Sequence, residues 1–404
     1  MKRYKWIIGM LLIVLMTACR SYDEPTAEDT KKEPSVLSVY VYYPERPVVT
    51  RASGAEVNPI SNDADESAIN NLQIWVFKHD DGALIAYHST QGETSNLSIV
   101  EESGVVYQLK VSPAFESAET KPNVDVYVLA NNTVFNGSTT RDALDAAVLE
   151  DPDPNSENTA LHGSYGLTTL VTKVPTGGLP MACVLHDASV TGTAPVFTVP
   201  TMKLERTVSK IRFIFSREEG ETPVKINSIK LDANMIPTQE YLFLAAPENN
   251  EPQLPYNIGK THAYIAESKE FLTDTDPVKT DICQNDNPLA YGYVDGMDPQ
   301  QFEDKIAEAL RNDPDNGITP KVSQVGPFYL RESDKRLSGT IKYQAGEETE
   351  KTLTFSMSST GEHEFSRNHT WTIYAYYGGS GLELVTVFVK DWENTETKHD
   401  VYNW

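Results

Sequence analysis

"NLQIWVFKHDDGALIAYHS", residues 71–89, decides the fold class. Two runs of aliphatic, aromatic and β-branched residues flank Asp80-Asp81-Gly82. An Asp-Gly turn between such runs is a strong hairpin signal, because glycine reaches the positive φ that reverses the chain. The pattern spreads both ways. Upstream, "PSVLSVYVYYPE" (34–45) reads as a strand. Downstream, "GVVYQLKVS" (104–112) alternates, and "NVDVYVLANN" (123–132) carries Val124, Val126 and Val128 before stopping at Asn131-Asn132. "TMKLERTVSKIRFIFS" (201–216) and "VKINSIKLDAN" (224–234) continue the series. From residue 338 the chain is all strand: "SGTIKYQAG", "KTLTFSMSS", "NHTWTIYAYYGG", "LELVTVFVKDWE" and "HDVYNW".

Helical spacing occurs twice. "TRDALDAAVLE" (140–150) has a threonine cap with Leu144, Ala147 and Leu149 on one face. "DPQQFEDKIAEALRND" (298–313) sets Phe302, Ile306, Ala309 and Leu310 on one face, with Pro299 in its first turn. Many short strands and few helices predict a mainly β protein of two β-sandwich domains in tandem. The boundary is expected near residue 198, within "APVFTVPTMKLER", which gives an N-terminal domain 52–198 and a C-terminal domain 199–404.

The chain has 404 residues and a formal net charge of −24. No basic stripe offers itself to a phosphate backbone, so nucleic acid is not an expected partner. No GxSxG, HExxH, P-loop or GxGxxG sequence is present, and the eight histidines are scattered. His363 and His369 are six apart, which is no metal spacing on a strand. The reading is therefore of a protein that is not an enzyme and needs no cofactor or metal. Cys183 and Cys283 lie in no CxxC motif and are expected either as a disulfide or as buried free thiols.

The N-terminus "MKRYKWIIGMLLIVLMTAC" has three early cations, an apolar run and a small-residue site, the pattern of a secretory signal. Met16-Thr17-Ala18-Cys19 resembles the lipobox of bacterial lipoproteins, with Met16 in place of the usual leucine. Cys19 is then the lipidation site, and its acyl chains the link to the outer membrane. Asp23 and Glu24 resemble the acidic surface-export signal of Bacteroidales lipoproteins. Residues 20–34 read as a polar tether.

The run "PVVTRASGAEV" (47–57) places an arginine between the first strand and the rest of the chain. Arg46 precedes Pro47, whose ring and missing N–H block cleavage. Arg51 precedes Ala52, Ser53 and Gly54, so Arg51–Ala52 is the susceptible bond. A cut there would release the lipid, the tether and the first strand (20–51) in one piece. If that strand lies in a sheet, its loss exposes unpaired backbone and an apolar groove that a strand from another chain can fill. The C-terminal stretch 382–404 is the candidate donor. Leu384, Thr386 and Phe388 alternate on one face, Val385, Val387 and Val389 on the other, and Trp392, Val401, Tyr402 and Trp404 add anchors. The same residues could equally be the last strands of the chain's own sandwich.

Taken in order, these pieces resemble the type V pilins, the fimbrillin family of Bacteroidales, in the manner of a major fimbrillin. The lipobox "LMTAC", "TRASG", "LQIWVF", "VYVLANN", "MKLERTVSKIRF", "RNHTWTIYAYY" and "VKDWE" carry the resemblance, together with the terminal tryptophan. It implies transthyretin-like, Greek-key sandwiches and a lipoprotein precursor carried to the cell surface. It also implies removal of the segment through Arg51 by an arginine-specific protease, and strand exchange into a fimbria. Partners would be further copies and accessory tip or anchor subunits. "TRASG" argues against an anchor, and the strand-like tail suits a stalk; a tip adhesin is the alternative. A surface glycan-binding lipoprotein is the competing class. It would keep its lipid and first strand and use "WTIYAYY" as an aromatic platform.

Overall fold

The computed structural model describes residues 35–42, 66, 69–90, 97–101, 104–111, 121–132, 134–149, 178–220, 222–238, 240–243, 263–272, 281–285, 287, 297–356, 365–391 and 397–400. In the first half, its strands are β1 (Val36–Tyr42), β2 (Leu72–Lys78), β3 (Leu84–Ser89), β4 (Leu97–Glu101), β5 (Gly104–Lys110), β6 (Val124–Ala130), β7 (Val148–Leu149), β8 (Met181–Ala188), β9 (Thr191–Thr193), β10 (Val196–Thr198), β11 (Met202–Lys203) and β12 (Glu205–Arg206). In the second they are β13 (Val208–Arg217), β14 (Val224–Leu231), β15 (Glu240–Tyr241), β16 (Lys269–Leu272), β17 (Ser323–Arg331), β18 (Ser338–Ala345), β19 (Lys351–Ser356), β20 (His369–Gly378), β21 (Gly381–Asp391) and β22 (Thr397–Asp400). Among the described residues, α1 spans Arg141–Asp145 and α2 spans Pro299–Leu310, with a short 3-10 turn at Pro314–Asn316. The fold is mainly β, as the strand pattern predicts.

Among the described residues four large sheets form. Strands up to Arg206 build β4-β5-β1-β10-β9, with β11 also on β1, and β12-β8-β6-β2-β3. Strands from Val208 onward build β17-β13-β20-β21-β22 and β16-β14-β18-β19. The first two sheets share a core in which Leu37, Val39 and Val41 meet Ile74, Val76 and Val128. The last two share another, with Phe213 and Trp371 from one sheet and Ile341 and Phe355 from its partner. The small ladder β7-β15 and a third cluster tie these parts together; in it Trp75, Phe77 and Tyr127 pack with Val208, Phe243 and Tyr329. β2 thus buries both faces, which explains why "LQIWVF" is an unbroken apolar run rather than an alternation.

The predicted turn is present. Gly82 sits at φ +68°, and Asp81 accepts from the Ala83 N–H at 3.1 Å. Asn131 and Asn132 do more than end a strand. Both are buried. The Asn131 side chain accepts from Asn70 N at 2.8 Å and donates to the Leu179 carbonyl at 2.7 Å, and Asn71 accepts from Asn132 N at 3.0 Å.

The helices agree with their spacing in part. α2 lays Phe302, Ile306 and Ala309 against the β17-β13-β20-β21-β22 sheet, next to Ile214, Tyr374 and Phe388. Arg212 in that sheet clamps Glu303 with N–O distances of 2.7 and 2.8 Å. α1 has its Thr140 cap, which accepts from Ala143 N at 3.3 Å, and buries Leu144. It ends at Asp145, however, and Leu149 belongs to a strand. There it pairs with Glu240, and Leu242 N donates to the Ala147 carbonyl at 2.9 Å. A tertiary ladder has overridden the last turn that the spacing suggested.

Candidate functional site

β1 lies inside its sheet. β5 pairs with it antiparallel along its whole length, from Val36↔Lys110 to Tyr42↔Gly104. On the other side it runs parallel to two short strands in succession. β10 pairs over Val36, Leu37 and Ser38, and β11 over Val41 and Tyr42. Further main-chain bonds lock the ends: Val36 N to the Pro195 carbonyl at 2.8 Å, and Leu204 N to the Tyr42 carbonyl at 2.9 Å.

The alternation in "VLSVYVY" sets what each face does. Leu37, Val39 and Val41 are fully buried among the sandwich core. The outward face carries Val36, Ser38, Tyr40 and Tyr42, with the two tyrosine rings edge-on at 4.5 Å. Burial of the three inward side chains is worth roughly 1.5–3 kcal/mol apiece. β5, β10 and β11 all follow Arg51 in the chain. Loss of β1 would therefore leave a slot between them, with unpaired backbone on both walls and three apolar pockets at alternating positions. Such a slot accepts an extended strand with branched apolar side chains at every second residue.

Cys19, Arg51, Ala52, Trp392, Val401 and Trp404 lie outside the described residues. Of the other donor candidates, Leu384, Val387 and Phe388 are buried in β21, where Val385 is half-buried. β21 is an interior strand, paired with β20 on one side and β22 on the other, and Val389 pairs with Trp371 and Lys398. The simple alternation read from the sequence needs correction. A bulge opposite Tyr374/Ala375 shifts the register. Leu384 and Val387 therefore share one core, while Phe388 turns to α2, its ring 4.3 Å from that of Phe302, with Val385 packed on the same side.

The aromatic platform of the glycan-binding reading does not exist as a surface. Trp371, Ile373, Tyr374 and Tyr376 in β20 are buried between β13 and β21, and the Tyr376 hydroxyl donates to the Asn285 carbonyl at 2.9 Å. Cys183 and Cys283 are free and half-buried. Among the described residues no cluster of three or more histidine, cysteine or acidic side chains could hold a metal. The sequence reading passed over Glu66, Arg206 and Lys210, all charged and all buried. A signal was available: "LERTVSKIRF" puts cations inside a strand whose two faces are otherwise apolar, and buried cations require buried partners.

Residues 35–206 match the model of a family described as major fimbrial subunit protein (FimA). Among solved structures, the chain is similar to a fimbrial assembly protein from Parabacteroides distasonis ATCC 8503, at 14% identity and TM-score 0.44, covering 92% of this chain and 100% of that one. It is similar to the tip fimbrial protein Mfa3 from Porphyromonas gingivalis, solved with a C-terminal truncation, at 13% identity and TM-score 0.45, covering 89% and 100%. It is also similar to a fimbrilin (FimA) from Porphyromonas gingivalis W83, at 10% identity and TM-score 0.41, covering 90% and 99%. Likenesses this distant carry no functional weight. Comparison with curated proteins gave no match.

Proposed function

We propose, from the match of residues 35–206 to the model of the major fimbrial subunit protein (FimA) family, that the chain is a stalk subunit of a cell-surface fimbria. In this reading the precursor is a lipoprotein acylated at Cys19 and held at the outer membrane. An arginine-specific protease cuts between Arg51 and Ala52, and the mature subunit begins at Ala52. A strand from a neighbouring subunit then occupies the slot that β1 vacates. Repetition of this head-to-tail contact does not close on itself and builds a filament.

The observation that carries the reading is the place of β1. It is the first strand among the described residues, interior to its sheet, and its walls all lie on the retained side of Arg51. A strand so placed costs the sheet little covalently and much energetically when it leaves, which is what drives capture of a replacement. The donor is the C-terminal tail. Leu384, Val387 and Phe388 already have places in the chain's own core. Among the described residues β22 is an edge strand paired with β21. The donor role is therefore assigned to the stretch beyond β21 that carries Trp392, Val401 and Trp404, and a donor tail suits a stalk better than a tip.

Purified precursor treated with an arginine-specific protease should form fibres visible by electron microscopy, and Arg51→Ala should remain monomeric. Truncation after Asp391 should allow cleavage and abolish polymerisation. Fibres from the truncated protein would remove the tail from the donor role.

A further inference from the structure

Glu66 is a fully buried carboxylate. Lys210 Nζ donates to both of its oxygens, at 2.9 and 3.2 Å, and the Tyr329 hydroxyl donates to Oε1 at 2.6 Å. The Glu66 main-chain carbonyl accepts from Arg206 Nε at 3.1 Å, and Arg206 Nη1 reaches Asn368 Oδ1 at 3.4 Å. Three strands converge on this residue. Lys210 and Tyr329 are cross-strand partners in β13 and β17, and Arg206 comes from β12 in the other half of the fold. Burial works to raise the Glu66 pKa, but the charges of Lys210 and Arg206 and the donors from Tyr329 and Lys210 leave it below the ordinary carboxylate range. An ion this deep is retained only where its partners are complete.

The position of Glu66 in the chain gives the cluster a second meaning. Tyr42, the end of β1, lies on the side of the Arg51–Ala52 bond that cleavage would release. Glu66 lies on the retained side, just before β2. From Asn70 onward the backbone is held by Asn70 N donating to Asn131 Oδ1 at 2.8 Å and Leu72 N to Thr90 Oγ1 at 2.8 Å. β2 is the strand whose Ile74 and Val76 floor the β1 slot from the facing sheet.

We propose that Glu66 is the anchor of the mature chain: it holds the polypeptide at the entrance to β2 when β1 departs, so that the slot opens without unravelling the strand behind it. The inference rests on the processing reading above and deepens it. A slot whose floor stays ordered spares the incoming strand the entropy of ordering it. Glu66 is thus a positioning residue for assembly, not a contact of the donor.

The test separates the anchor from the choice of Arg51. A recognition site for an unrelated protease, inserted between Thr50 and Ala52 of the full-length precursor, is cut whether or not Arg51 is the natural bond. The immobilised protein is cut, the N-terminal piece is washed away, and amide exchange over Leu72–Lys78 is read by mass spectrometry before and after. In the otherwise unaltered chain, protection should change less than about twofold. In Glu66→Gln it should match the unaltered chain before the cut and fall at least tenfold after it. The pair Glu66→Gln with Lys210→Met, which removes the buried ammonium together with its carboxylate partner, should show the same dependence on the cut and keeps the test sound if Glu66→Gln does not fold. Equal loss before and after the cut would reduce Glu66 to a general structural role, and no loss after the cut would remove the anchor; either result overturns the proposal.

Discussion

At the scale of single residues, electrostatics at the end of the β2-β6-β8 ladder makes stability depend on pH. His79 Nδ1 meets Asp125 Oδ1 at 2.8 Å, and its Nε2 stands 3.8 Å from Asp187. Asp125 also accepts from Arg141 Nη1 and from the Asp187 N–H, both at 2.9 Å. The hydrogen bond to Asp125 lifts the His79 pKa above the ordinary histidine value, with burial opposing it in part. A pKa raised by folding means that protonated His79 favours the native state. The contribution is full below the unfolded value, about 6.5, and disappears as pH rises through the raised folded value. Melting temperature should fall between pH 6 and pH 9 by on the order of 1 °C more in the unaltered chain than in His79→Ala, because the side chain is partly solvated. Identical profiles would contradict this. Gly339 makes a steric prediction. It sits in β18 opposite Leu231 and Phe355, where a Cβ would strike the Lys230 carbonyl oxygen and approach the Phe355 ring to 2.7 Å. Gly339→Ala should cost about 1–3 kcal/mol in denaturant unfolding; an unchanged midpoint would show that the strands separate freely there.

At the scale of elements, β1 is a core strand, and in the proposed function it is also the strand that leaves; a single substitution can separate those roles. Leu37→Ala should destabilise the precursor by about 2–5 kcal/mol. It should also loosen the plug, so that fibres appear faster after cleavage, as followed by light scattering. Slower or unchanged assembly would mean that departure of β1 does not limit the process. Elements whose burial is set by their own side chains could be read directly from the chain. These include the 71–89 hairpin, the "VLSVYVY" strand, the α2 face of Phe302 and Ile306, and the strands between Ser338 and Asp391; the expected strand "HDVYNW" lies outside the described residues beyond Asp400. What was not legible depended on partners distant in sequence. Leu149 reads as helical until Glu240 arrives to pair with it. The alternation of "LELVTVFV" reads as two clean faces because a bulge depends on the neighbouring strand. Glu66 reads as one acid among many. It became the centre of a cluster only because Lys210 and Tyr329 were brought side by side.

At the scale of the whole molecule, the net charge of −24, which becomes −26 for residues 52–404 because residues 1–51 carry a net +2, opposes any filament of identical subunits. Repulsion between neighbours is felt over about 30 Å at 0.01 M salt and about 8 Å at 0.15 M. Fibre growth from cleaved subunits should therefore quicken as salt rises through that range, since the slot itself is apolar and gains nothing from charge. Growth that slows with salt would point to a charged junction instead. The processing bond remains the centre of the account, because the slot, the donor tail and the anchor at Glu66 acquire their roles only if the chain is cut there. The direct measurement is the N-terminal sequence of the protein sheared from the cell surface. A sequence beginning Ala52-Ser53-Gly54 is the predicted result. A chain recovered with acylated Cys19 still joined to β1 would contradict it.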